Sequence, residues 1–251
     1  MMHCKKYSKE GDDGNILKII YNLLHNRFGK MKNWWPAESD FEVMIGAILG
    51  QNTAWINVEK AIYNLKSRNL LSFEAMETID LDLLKEFIRP SGYYNQKALK
   101  IKEFINFVKK EYNFSIELMK NENVSVMREK LLDISGIGEE TADSIMLYAL
   151  KKPVFVIDAY TRRILERHYI IESALKEKYK NLQKYFTDNI NNIFYVYDEE
   201  TVEEENSGTN DKTNVEIYNE YHALIVMTGK MFCKRIPLCN DCPLNKLNNL
   251  T

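Results

Sequence analysis

The stretch that most constrains this chain is residues 131–150, LLDISGIGEETADSIMLYAL. The end of an apolar helix meets Ser135-Gly136-Ile137-Gly138, and a new amphipathic helix follows. Two glycines so placed permit a tight turn with positive φ angles and close approach of the backbone. The first N–H groups of the second helix then point outward. With the helix dipole they offer a seat for a phosphate. Such a contact is made by backbone, so it positions a nucleic acid without reading its sequence. G-x-G alone also describes an ordinary helix–turn–helix corner. The longer pattern L-x-x-I-x-G-I-G-x-x-T-A-x-x-I is far more restrictive and points to a phosphate-binding hairpin.

Beyond that helix comes Val156-Ile157-Asp158-Ala159-Tyr160-Thr161-Arg162-Arg163. An Asp directly after a buried apolar run tends to sit at the mouth of a cleft. A carboxylate there can stabilise an oxocarbenium-like sugar and orient a water, as in glycoside hydrolysis. Asp is also a common helix N-cap. Its place after the hairpin favours catalysis.

The rest of the sequence reads as nearly all helix. Apolar residues recur at helical spacing over 16–28, 41–49, 58–65, 99–108, 141–150 and 218–226. Ser39 and Glu42 have capping-box spacing before Phe41, and Pro90-Ser91-Gly92 breaks the chain between helical runs. Residues 154–157 are β-branched enough for a short strand, but a buried extended link serves equally well. Residues 197–214, YDEETVEEENSGTNDKTN, bury too little apolar surface to offset their ordering entropy and read as a mobile loop between C-terminal helices. The net charge of −2 does not advertise an anionic partner. Six acids and no base fall within 198–205, however, and without them the rest carries +4. No apolar run is long enough to span a membrane, and the polar start MMHCKKYSKEGDDGN lacks a signal-peptide core. A cytoplasmic location, or a nuclear one in a eukaryote, is the default expectation.

Two further groups stand out. Cys233, Cys239 and Cys242 cluster near the end, with Cys4 far upstream. In a cytosolic chain such spacing suggests a metal site or its remnant rather than disulfides. All three tryptophans fall between residues 34 and 55: Trp34-Trp35-Pro36 before one helix and Trp55 after its end. Core packing is the plain reading of so much indole. Asn33 and Pro36 place the first pair in a linker, where side chains often face a cleft.

The hairpin, the IDAYTRR run and the cysteine-rich end together resemble the helix-hairpin-helix DNA glycosylase superfamily, in its endonuclease III-like branch. Gly50-Gln51-Asn52-Thr53 and Gly92-Tyr93-Tyr94-Asn95-Gln96-Lys97-Ala98 add to the match, which runs from about residue 16 to 244. The resemblance implies an all-α fold with two helical lobes and a DNA-binding cleft between them. Residues 41–153 would form the central lobe, and residues 1–40 would pack with 154–251. It implies Asp158 as the catalytic acid, with Gln51 filling the gap left by a flipped base and Tyr93 wedging beside it. A capping Gln and a core Tyr are the alternative for those two. Gly136, Ile137, Gly138, Glu140 and Thr141 would lie at the DNA. Duplex DNA with a damaged base is the expected partner, and a monomer the expected state.

The departures matter as much. In bifunctional members a lysine stands two residues after the second hairpin glycine; here that residue is Glu140. A carboxylate cannot form a Schiff base with deoxyribose, so hydrolysis without strand cleavage is expected. The branch's [4Fe–4S] cluster needs four thiolates, and the C-terminal run offers three. Recruitment of Cys4, or a Cys₃His zinc site with His222, are the metal-bound alternatives; no metal and no cofactor is the expectation. The Trp-Trp-Pro is similar to that of the endonuclease III-like 3-methyladenine glycosylases. It implies a base pocket of Trp34, Trp35, Pro36 and Trp55, with Lys230 or Tyr148 as further candidates. Indole faces attract the cationic base made by alkylation at N3 or N7 of a purine. A glycosylase for uracil or mismatched thymine, and a non-catalytic hairpin module that clamps DNA, are the competing readings.

Overall fold

The computed structural model describes residues 13–31, 34–194 and 209–249. The described chain is helical, with no strand among the described residues. Its helices are α1 (Asp13–Phe28), α2 (Asp40–Leu49), α3 (Trp55–Lys66), α4 (Phe73–Thr78), α5 (Leu81–Ile88), α6 (Tyr94–Tyr112), α7 (Ile116–Asn121), α8 (Val124–Leu132), α9 (Glu139–Ser144), α10 (Ala159–Arg167), α11 (Tyr179–Phe194) and α12 (Thr209–Met231). No described helix is long and apolar enough to cross a membrane.

The stretches 16–28, 41–49, 58–65, 99–108 and 218–226 each lie in one of these helices, 141–150 runs from α9 through a π-helical turn, and the capping signals explain several starts. Ser39 Oγ accepts from Glu42 N at 3.1 Å. The Glu42 carboxylate reaches back not to Ser39, as in a full capping box, but to Glu38 N and to Lys66. Residues 154–157 form a buried extended link rather than a strand. The acidic stretch needs a correction. Residues 209–214 are the first turns of α12, where a loop was expected, and 197–208 lie outside the described residues. Thr, Asn and Asp suit a helix start, and the buried Tyr218 and Tyr221 further along give the helix a packed face to grow from.

The chain divides into two compact units, Met1–Trp34 with Phe155–Thr251 and Trp35–Val154. In the first, α1 packs on α11 and α12. The Tyr221 hydroxyl donates to Leu17 O at 2.8 Å, and Phe155 stacks on Phe186 with ring centroids 4.2 Å apart. In the second, α2 lies against α3, α6 and α9, with Met44, Ile45, Ile48 and Leu49 fully buried.

Within the second unit the hairpin joins α8 to α9 and continues as one turn of π-helix, Ile145–Ala149. A wider turn of this kind re-aims side chains and recurs at functional sites. The two helices are locked by charge. Arg128 Nε donates to Asp143 Oδ1 at 2.7 Å and Nη2 to Oδ2 at 3.1 Å, with Asp143 fully buried. Removing Arg128 strands the buried Asp143 carboxylate, at a cost of about 3–5 kcal/mol. Arg128→Met is therefore expected to lower unfolding free energy by about 3 kcal/mol in denaturant titrations. A loss below about 1 kcal/mol would show that the pair does not hold the hairpin.

Candidate active site

The candidate residues fall into three groups, each within a single unit. The first surrounds Asp158 in the first unit. Its carboxylate caps α10: Oδ1 accepts from Thr161 N at 2.7 Å and from Thr161 Oγ1 at 2.8 Å. The extended link delivers it, with Ile157 N donating to the Tyr179 hydroxyl oxygen at 3.1 Å. The residue is 8% exposed. Its second oxygen, Oδ2, lies 3.8 Å from Nε2 of buried His222 on α12. Gly229 permits the close approach of Tyr160, since a Cβ at that position would overlap the Tyr160 ring.

Trp34 belongs to the same unit. It meets His222 edge-on at 6.2 Å between centroids, and Lys230 Nζ lies 5.5 Å from its ring centre. A cation thus already sits on Trp34.

The second group is in the other unit. Trp35 meets Trp55 edge to face at 5.2 Å and Tyr148 at 4.9 Å, and both indoles lie against Gly46 of α2. The π-turn carries Tyr148 into this group. Tyr148 is buried, whereas Trp35 and Trp55 are only half-buried and Pro36 is exposed. These indoles therefore keep accessible surface, which core tryptophans do not.

The third group is the hairpin with its supports, again in the second unit. Gly136 has φ +83° and Lys100 lying over it, so a Cβ would stand 2.5 Å from Lys100 Cε. Gly138 is extended, not left-handed, and a Cβ there meets nothing within 4 Å. Only Gly136 is thus demanded by the turn itself. Ile137 and Thr141 are buried, while Glu140 is exposed in the first turn of α9 beside Glu139. The Gln51 amide is engaged inside the protein. Nε2 donates to Gly136 O and Thr141 Oγ1 at 3.1 and 2.9 Å, and Oε1 accepts from Lys100 Nζ at 2.5 Å. Tyr93 is 67% exposed, with left-handed backbone at φ +46°.

Lys97, within the Gly92–Ala98 run, organises this group. Its buried ammonium donates to Leu49 O at 2.8 Å and to Ser91 O at 2.7 Å. One side chain so fixes the approaches to both Gln51 and Tyr93. Burial, with a lesser push from Lys100, lowers its pKa to about 8.

Three of the four cysteines, Cys233, Cys239 and Cys242, lie among the described residues. Cys4 lies outside the described residues, and no three His, Cys, Asp or Glu side chains among the described residues could hold a metal ion together. Arg167 ties the start of the loop instead, donating to Cys233 Sγ at 3.2 Å, Lys234 O at 2.6 Å and Arg235 O at 3.1 Å. His222 faces Asp158.

Comparison with known proteins places this architecture. Residues 45–191 match the model of the HhH-GPD superfamily of base excision DNA repair proteins. A Methanocaldococcus jannaschii protein, MJ1434, described as a candidate DNA repair glycosylase, is 42% identical over 228 residues, covering 90% of this chain and 93% of that one. The H. pylori 3-methyladenine DNA glycosylase MagIII, solved with 1,N6-ethenoadenine, is 32% identical with a TM-score of 0.68. That match covers 87% of this chain and 97% of MagIII. Endonuclease III, trapped covalently on DNA, shares the fold at 18% identity with a TM-score of 0.70, over 92% of this chain and 93% of that one. The chain belongs to the HhH-GPD superfamily and is a base excision repair glycosylase of its endonuclease III-like kind.

The Lys97 shift gives a signed test. Because its folded pKa lies below the unfolded value, folding is hindered by this charge below about pH 8 and relieved of it as pH rises toward 10.5. Lys97→Met leaves two carbonyls without their donor and should cost about 2 kcal/mol at pH 7. The gap between wild type and variant is expected to widen in favour of wild type from pH 7 to 9.5. A narrowing gap would contradict the assignment.

Proposed function

We propose that this chain is a monofunctional glycosylase acting as a monomer on alkylated purines in duplex DNA, and that it works without a metal. The observation that carries the substrate class is the half-buried pair Trp35 and Trp55, edge to face and backed by Tyr148. A desolvated cation–π contact contributes on the order of 2 kcal/mol. Alkylation at N3 or N7 makes a purine cationic, so indole faces attract it more than its neutral parent. Trp34 already has the Lys230 ammonium over its ring, which makes it the poorer seat for a second cation. The likeness to MagIII supports the same substrate class.

The chemistry follows from Asp158. The C1′–N bond breaks and its electron pair stays with the departing base, which leaves neutral. The Asp158 carboxylate stabilises the oxocarbenium-like sugar through Oδ2, because Oδ1 is held by Thr161. Water adds at C1′ and loses its proton, with the carboxylate as first acceptor. A cationic leaving group needs modest help, so one carboxylate suffices. With Glu140 in place of the hairpin lysine no amine attacks C1′, and the abasic strand stays intact.

DNA is held by the hairpin backbone. Two acids in the first turn of α9 offset its dipole, so the phosphate contact rests on N–H donors rather than net charge. Gly138→Ala keeps an unstrained backbone and open space, and is expected to weaken binding to damaged and undamaged duplex alike while leaving the melting temperature unchanged. An effect confined to one lesion would argue that Gly138 acts elsewhere. Gly136→Ala is expected to destabilise the fold instead, because its backbone is left-handed and Lys100 fills the space.

The substrate class is tested by ring electronics. Single-turnover rates are compared on duplexes carrying a cationic methylpurine and neutral hypoxanthine. Trp55→Phe should keep most activity on the cationic base, and Trp55→Leu should lose about fivefold more, roughly 1 kcal/mol. Hypoxanthine should show no such difference. Equal losses on both bases, or turnover of uracil and G·T duplexes alone, would overturn the alkylpurine reading. Borohydride trapping should give no covalent adduct; a trapped one would overturn the monofunctional reading.

A further inference from the structure

We propose that His222 is the positioning residue for Asp158, offering an imidazole N–H to Oδ2 so that the carboxylate stays ionised and aimed. The proposal rests on the reading of Asp158 as the catalytic carboxylate. Oδ1 is fixed by two donors from Thr161, which sets the rotation of the carboxylate and directs Oδ2 at the imidazole. His222 is 4% exposed, and its Nε2 stands 3.8 Å from Oδ2. A shift of less than 1 Å brings the two within hydrogen-bond distance. In unbound enzymes such contacts are often long and tighten when substrate binds.

The surroundings favour a neutral donor. The rings of Phe155 and Trp34 wall the imidazole, with centroids 6.4 and 6.2 Å away. Burial lowers the His222 pKa, and the Asp158 charge opposes that only in part. A neutral imidazole with its proton on Nε2 donates to the carboxylate without adding a positive charge that would repel a cationic base. Among the other titratable groups nearby, Tyr160 lies two residues after Asp158, and burial and the Asp158 charge both raise its hydroxyl pKa. Arg163 lies over the Tyr160 ring, and Lys230 over Trp34. On α12 itself, burial raises the hydroxyl pKa values of Tyr218 and Tyr221, while Glu220 is turned to Tyr21 and the backbone of Met31. None of these groups replaces a neutral donor at Oδ2.

The role differs from packing in one measurable respect. Without the donor, a carboxylate among apolar walls loses a hydrogen bond that favours its charged form. The acid limb of single-turnover base release from a 7-methylguanine duplex reads out that loss, because the substrate stays cationic throughout the acid range. In His222→Phe the limb is expected to move up by about one pH unit. His222→Gln restores an amide N–H near the Nε2 position and should return the limb toward wild type. Should the Phe variant fail to fold, His222→Met supplies the same contrast between donor and no donor. Affinity for abasic duplex should be unchanged in every folded variant. A slower Phe or Met variant whose acid limb stays at the wild-type pH would overturn the proposal and leave His222 a packing residue. Asp158→Asn separates the two claims. If it abolishes release, the reading of Asp158 stands whatever His222 does; if it releases base at the wild-type rate, that reading falls first, and this one with it.

Discussion

The candidate site depends on how one carboxylate divides its two oxygens. Asp158 Oδ1 closes the first turn of α10, and Oδ2 is left pointing along a direction the cap has fixed. From the sequence, an N-cap and a catalytic acid compete as explanations of Asp158. In the folded chain they are compatible. The cap immobilises the carboxylate proposed to react, and a preorganised charge would need little reorganisation when a cation develops on the sugar. The buried link before it and the close packing of Tyr160 on Gly229 keep that geometry from relaxing.

The second unit shows the same economy with cations. Lys97 and Lys102 spend their ammoniums on backbone carbonyls at the ends of helices and turns, and Arg128 on the buried Asp143. These charges are internal fasteners. A mildly negative net charge is therefore a poor guide to the surface that meets DNA, because several of the positive charges are turned inward. The Gln51 amide belongs to this internal network through Lys100, Gly136 and Thr141. To fill a gap in a duplex it must first leave those partners.

Much of the fold was legible because its signals are local. The helical periods of α1, α2, α3, α6 and α12 and the glycine hairpin follow from residue type and spacing. What was illegible depends on contacts distant in sequence. Arg128 and Asp143, Lys97 with Leu49 and Ser91, and His222 with Asp158 leave no periodic trace. The turn at Gly136 was readable, but the sequence could not say that Gly138 needs no positive φ. Nor could it say that Trp34 would share a unit with Lys230 and His222, while Trp35 joined Trp55 and Tyr148 within the other unit. The start of α12 was missed because polar residues 209–214 look like loop until the buried tyrosines downstream supply a packed face.

The central claim is that an ionised Asp158 and a pair of half-buried indoles release cationic purines hydrolytically. The most direct measurement is chromatography of the bases released from duplex DNA treated with dimethyl sulfate, with strand integrity followed on the same samples. The account predicts free 3-methyladenine or 7-methylguanine and abasic strands that stay whole until alkali cleaves them. Release of no methylated base, or strands nicked by the protein itself, would contradict it.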